Sequence, residues 1–232
     1  MVKNRVGGQV ASMLKKQFKS TSLADQVYDQ LENDIIQGVY AKGEILTELK
    51  LVEQLGVSRT PIREALRRLE QERLIEDAGK GSRVLGITES DLFDIMTIRE
   101  RVEGVAAYYA TVNMTPEGKK ELTHLVDLQE FYFEKRDAER LRQVDDQFHD
   151  LICVLSNRTV ITDTLIPLHH KTRRYRRIAM EDWVRAAKTK GEHYEMFQAI
   201  VSGNAELAER LTTQHIVNAK KHMMEEMLFH VD

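Results

Sequence analysis

Asp145 and His149, in the run Asp145-Asp146-Gln147-Phe148-His149, are four residues apart. That spacing puts both on one face of a helix. Phe148 and Ile152 flank the face, which turns the two polar side chains toward an interior. Farther along, His193 leads the apolar stripe Met196, Phe197 and Ile200, and His215 shares a stripe with Leu211 and Ala219. A lone histidine on an apolar face is more often a satisfied core residue than a ligand. Three of them on three helices, with a carboxylate one turn from the first, form a set. Buried polar groups require partners, and imidazole with carboxylate suits borderline divalent ions such as zinc, nickel or manganese. The spacing therefore predicts a divalent transition-metal site built from Asp145, His149, His193 and His215. Such a site with open positions could also activate water in a hydrolase-like enzyme. An acid–base partner is not evident, because Glu192 points about 100° round the helix from His193. A helical interaction protein with a structural ion is the third possibility.

A second group of residues suits a different chemistry. Arg59, Arg63 and Arg67 recur every four residues and form one ridge, while Ile62, Ala65, Leu66 and Leu69 take the opposite, buried face. Ser58 is placed to cap this helix, and Pro61 falls in the first turn, where a missing N–H is harmless. Ser58 and Thr60 add small donors at the exposed end. Guanidinium groups near the start of a helix suit base edges and phosphates in a major groove; a solvated basic face is the plainer alternative. The flanking sequence favours the first reading. Thr47 to Leu55 reads as a short helix ended by Gly56, giving the tight turn of a helix-turn-helix. Downstream, Leu74-Ile75-Glu76 and Arg83-Val84-Leu85 read as strands joined through Ala78-Gly79-Lys80-Gly81-Ser82, a hairpin whose glycines permit a tight turn and close approach to a phosphate backbone.

Together, Leu51 through Leu69, Leu74-Ile75 and Gly79-Lys80-Gly81 resemble the GntR family of bacterial transcription regulators. The resemblance implies that Arg59 and Arg63 contact operator bases and phosphates, that Ser58 and Thr60 support them, and that Gly79-Lys80 is the tip of a wing. The chain departs from some relatives by carrying Leu49 and Lys50 near a position that is arginine in those proteins. Asp145-x-x-Phe148-His149, Glu192-His193 and Gly203-Asn204-Ala205-Glu206 … His215-Ile216 resemble the helical FCD ligand-binding domain of FadR-type GntR regulators. In metal-containing members the matching Asp and three His hold an ion that helps bind a small carboxylate effector. Arg99 matches a pocket-facing arginine of relatives and is bracketed by Ile95, Ile98, Val102 and Val105; Arg101 is the alternative. Within Lys171-Thr-Arg-Arg-Tyr-Arg-Arg177, Arg173 and Arg177 share a face, and either could pair a carboxylate bidentately. Most of that run reads as a solvated basic face. His169-His170 and His222 lie outside the motif, His222 reading as surface or packing. The resemblance further implies a homodimeric repressor on a palindromic double-stranded operator, two heads reading two half-sites.

The rest of the chain must position these groups. Its 232 residues suffice for two domains, and the net charge of −3 favours sequence-specific binding over wholesale coating of DNA. Residues 22–87 hold nine Lys/Arg against twelve Asp/Glu, so positive charge there must be local. A single cysteine, Cys153, excludes an internal disulfide, fits a reducing cytoplasm and reads as core. No apolar run reaches the ~20 residues needed to span a bilayer. Residues 1–21 are a basic, acid-free segment without a signal-peptide pattern, read as a mobile arm that either touches phosphates or is simply unstructured. The expected organisation is mainly α: a winged helix-turn-helix with a small β-wing over 22–87, then an all-α antiparallel bundle over 88–232. Ser22 starts and Gly38 ends the first helix, and 39–46 is an extended connector. Helical stretches are expected near 89–112, 116–134, 137–156, 159–179, 181–202 and 204–228, the last two forming an αα-hairpin around Ser202-Gly203-Asn204.

Overall fold

The computed structural model describes residues 22–229, apart from the side chains of 174, 175, 177, 178 and 226–229; the basic arm over 1–21 and the side chain of Arg177 lie outside the described residues. The described chain divides into two compact units between Asp91 and Leu92.

In the first unit, α1 (Leu23–Gln37) begins at a reciprocal capping box between Ser22 and Asp25 and ends at Gly38 in the left-handed conformation. Each end thereby gains partners for its orphan backbone groups. α2 (Glu48–Leu55) is capped by Thr47 and ended by Gly56, and α3 (Arg59–Gln71) follows directly. β2 (Ile75–Asp77) and β3 (Ser82–Val84) form the wing hairpin in the register Ile75↔Val84, Glu76↔Arg83 and Asp77↔Ser82. Part of the expected connector is instead a third strand. β1 (Ile45–Leu46) pairs antiparallel with β3, giving the order β1-β3-β2. Two residues carry too little alternation to be recognised as a strand. Gly81 shows what this strand demands, because a Cβ there would stand 2.5 Å from the Leu46 carbonyl oxygen. The glycine is fixed by the close approach of β1, in addition to the hairpin turn. The core of the unit is mainly apolar, with Leu31, Leu46, Leu51, Ile62 and Leu69 fully buried, and the buried Glu32 accepts from the Tyr28 hydroxyl at 3.1 Å.

The second unit is helical: α4 (Glu89–Val112), α5 (Pro116–Glu134), α6 (Ala138–Leu155), α7 (Thr159–Lys171), α8 (Arg173–Glu181), α9 (Trp183–Val201) and α10 (Ala205–Phe229). Neighbouring helices pack around Phe148, Leu122, Leu155, Met196 and Ile200, and Cys153 is buried as expected. The continuous helix expected over 159–179 is broken. The Thr172 hydroxyl donates to the His169 carbonyl and accepts from Arg99 Nη1 at 2.9 Å, so a local side-chain bond competes with the helical ladder. The break separates α7 from α8. At the other side of the unit Gly104 lets α4 approach α10 closely: a Cβ would meet Thr213 Oγ1 at 2.3 Å and the Glu209 carbonyl at 2.9 Å. No described helix is long and apolar enough to cross a membrane.

Candidate functional site

The three histidines singled out in the sequence meet. His149 on α6, His193 on α9 and His215 on α10 are all buried, and one ring nitrogen from each lies within 4.8 Å of the others. Their orientation is set from outside. His149 Nδ1 faces Glu103 Oε2 at 3.2 Å, His193 Nδ1 faces Gln129 Oε1 at 3.1 Å, and His215 Nδ1 faces Glu192 Oε2 at 2.7 Å. An oxygen acceptor beside each Nδ1 holds the hydrogen there and leaves the Nε2 lone pair for the centre. His193 Nε2 and His215 Nε2 then stand 3.3 Å apart. Two lone pairs at that distance repel unless a cation lies between them. Two imidazole nitrogens bound at ~2.0–2.1 Å to a tetrahedral ion are themselves roughly 3.3 Å apart. Burial also depresses the His149 and His193 pKa well below the ordinary histidine value, keeping both rings neutral as ligands require. The donor set fits a divalent transition metal.

Asp145 takes a different position from its three companions. It is buried in the same cavity, but its carboxylate falls outside the three-histidine set. One oxygen accepts from Arg176 Nε at 3.1 Å and the other is 3.7 Å from His193 Nδ1. Burial raises its pKa, and Arg176 beside it offsets only part of that.

A cavity of about 70 Å³ opens beside His149 and His215. Arg99, Arg176 and Arg185 supply its positive charge, Thr172 and Thr189 add hydroxyls, and Met96, Met180 and Met223 form an apolar wall. Arg99 was expected here. It is buried, with Nε donating to Glu103. Of the pair expected from α8, Arg173 does not line the cavity; its side chain is 29% exposed and 3.6 Å from Asp146. Arg176 occupies the inward face instead, bound to Asp145 and Asp146.

Several contributing residues escaped the sequence reading. Glu103 is the hub of a buried network, reaching Arg99, His149 and His169; His169 also contacts Asp150 at 2.7 Å. Burial opposes ionisation of Glu103, but these neighbours outweigh it and hold the carboxyl well below its usual range. Its signal was an Arg–Glu pair four residues apart on a face that is otherwise apolar. Arg185 chelates Glu192 through both terminal nitrogens. Although burial opposes it, His215 and Arg185 bring the Glu192 carboxyl down to about 2. Glu192 does turn away from the His193 side of α9, and that turn aims it at α10.

In the first unit Arg59, Arg63 and Arg67 are exposed along α3, opposite its buried face. Ser58, Thr60, Gly79 and Lys80 are exposed as well. Ser58 occupies the N-cap position without making the expected side-chain cap, so its hydroxyl is not committed to the helix. Arg63 Nε donates to Glu48 Oε1 at 2.8 Å in a solvent-exposed pair. Arg68, beside the ridge, is a strut: it pairs with Asp25 at 2.7 Å and lies 3.8 Å over the Tyr28 ring. Gly79 N donates to Asp77 Oδ1 at 2.8 Å, fixing the wing turn.

Residues 23–84 match the gntR family of bacterial regulatory proteins, and residues 94–218, more than half the chain, match the FCD domain. The chain belongs to the GntR family and carries an FCD domain. It is 30% identical to the HTH-type transcriptional regulator McbR of Escherichia coli K12, over 87% of this chain and 83% of that protein. It is 26% identical to the HTH-type transcriptional repressor RspR of the same organism, over 82% and 84% of the two chains. The solved structure of E. coli McbR/YncC superimposes with a TM-score of 0.76 at 24% identity, covering 89% of this chain and 99% of that one. A putative GntR regulator from Rhodococcus sp. RHA1 superimposes at 0.69 and 22% identity. The fold is therefore that of a GntR-type regulator with a helical C-terminal domain, and the chain is a bacterial DNA-binding transcription regulator rather than an enzyme.

Proposed function

We propose that the chain is a cytoplasmic repressor that binds a palindromic operator as a homodimer and is controlled by a small carboxylate held at a divalent metal in its helical domain. On this reading residues 22–87 are the DNA-binding domain and 88–232 the effector-binding and dimerisation domain. The observation that carries it is the convergence of three buried, outwardly tethered imidazoles beside a cavity lined by Arg99, Arg176 and Arg185. Bound to His149, His193 and His215, with Asp145 at the edge of the set, the ion would supply positive charge and open coordination positions for a carboxylate oxygen. Arg176 lines the cavity and is placed to pair the acid, whereas Arg173 does not line it. Arg99 orders the wall through Glu103 and Thr172.

On DNA, the α3 ridge of Arg59, Arg63 and Arg67 supplies guanidinium contacts, with Ser58 and Thr60 at the helix entry and Gly79-Lys80 at the wing tip. Glu48 pairs with Arg63 in the exposed ion pair, which phosphate or base atoms would compete for. An effector controls binding only if it prefers the DNA-free arrangement of the dimer. Fluorescence anisotropy with DNA from the chain's own upstream region tests the reading. Affinity should fall steeply with salt, and fall again when metal and a cognate acid are added together. Salt-insensitive or absent binding would defeat it.

A further inference from the structure

His222 stands two turns beyond His215 on α10. His215, Ala219, His222 and Met223 all line the cavity, so a single stripe of the helix runs from the metal-ligating histidine to this second one. His222 Nε2 is inaccessible to solvent and makes no hydrogen bond within the protein. Gln129 Nε2 and Thr212 Oγ1 are likewise buried without partners, but neither residue lines the cavity. A buried ring nitrogen left unpaired is unfavourable, and the residue that carries it is part of the cavity lining. The same wall includes the side chains of Met96, Met180 and Met223, which offer an apolar, adaptable surface.

Resting on the effector reading above, we propose that His222 is a specificity-determining residue that binds the far end of the effector. The ligand class is a short acid with a carboxylate at one end, an apolar middle, and a second hydrogen-bonding oxygen (hydroxyl or carboxylate) at the other. The first carboxylate takes the arginine and metal end, the middle lies on the methionines, and the far oxygen completes His222 Nε2. With its hydrogen on Nδ1 the ring accepts from a hydroxyl at Nε2, and with a hydrogen on Nε2, as the other tautomer or the cation, it donates to a carboxylate, so both far-end groups are accommodated.

The test is calorimetric titration of the metal-loaded full chain with three sets of acids of three to six carbons: unbranched monocarboxylic acids, their ω-hydroxy counterparts and the matching dicarboxylic acids. At one chain length a two-ended acid should bind at least about tenfold more tightly than its monocarboxylic partner. His222→Leu should bring that ratio close to one while leaving the monocarboxylic acid within about twofold, and His222→Asn should restore part of the preference. Equal binding of one-ended and two-ended acids by the native chain overturns the proposal, as does a loss in His222→Leu that is uniform across the sets. If no acid of any set binds while the metal is retained, the effector reading falls and this inference with it. Preference for one-ended acids removes this inference alone.

Discussion

The two units of this chain use charge in opposite ways. In the first unit the core is mainly apolar, with Glu32 its one buried charged side chain among the described residues, bonded by the Tyr28 hydroxyl, and ion pairs such as Arg63–Glu48 and Arg83–Glu76 lie at the surface. In the helical unit Arg99 and Glu103 are only 4% and 3% exposed, and Asp145, His149, Arg176, His193 and His215 are buried around them. Exposed pairs are screened and each contributes about 0–1 kcal/mol, so the first unit can spare its cations for an outside polyanion with little effect on folding. Buried charges must be matched by neighbours. The second unit is consequently a closed network in which a gain or loss of one charge is felt by the rest, a property suited to sensing a small charged ligand.

The comparison can be broken most sharply at its centre. Glu103→Ala leaves Arg99 buried without its carboxylate and removes the acceptor for His149 and His169; it should cost about 3–5 kcal/mol, read as an earlier urea transition of the helical unit. Next in size is metal removal. If the histidines hold an ion only in the folded state, chelation should lower stability by about 2.7 kcal/mol when the metal stands at a hundred times its Kd. His215→Ala should abolish that response, and Arg67→Ala should leave it intact. Gly104→Ala is smaller, about 1–3 kcal/mol by overpacking at the α4–α10 approach, and should broaden the cavity's ligand response if that contact sets the wall. The smallest folding effect belongs to Arg67→Ala. Stability should stay within about 0.5 kcal/mol, while operator affinity drops and the logarithmic salt slope falls by about one. A large stability loss there, or none for Glu103→Ala, would erase the distinction between the units.

Legibility followed the same division. Helix-turn-helix and wing were readable because caps, glycines and apolar period all act over a few residues: Ser22, Thr47, Gly38 and Gly56 end elements where they were expected to. The two-residue strand β1 was missed because its identity comes from pairing with β3, which lies far along the chain. Inward placement of His149, His193 and His215 followed from helical period alone. The inward place of Arg176 did not, since the helix that carries it begins only after the break at Thr172 and its inward face depends on which helices pack against it.

By itself the sequence determined which faces of the helices are buried, that three histidines occupy those faces, and that a short arginine ridge and a glycine-flanked lysine are exposed. These depend on spacing within one element, which 3.6 residues per turn converts directly into direction. Only the tertiary structure decided that the three rings share one centre, that Glu103, Gln129 and Glu192 aim them, and that Arg176 and Arg185, with His222, complete the cavity. Those relations join residues of different helices, and their geometry depends on helix crossing and on a break at one threonine, neither of which periodicity encodes.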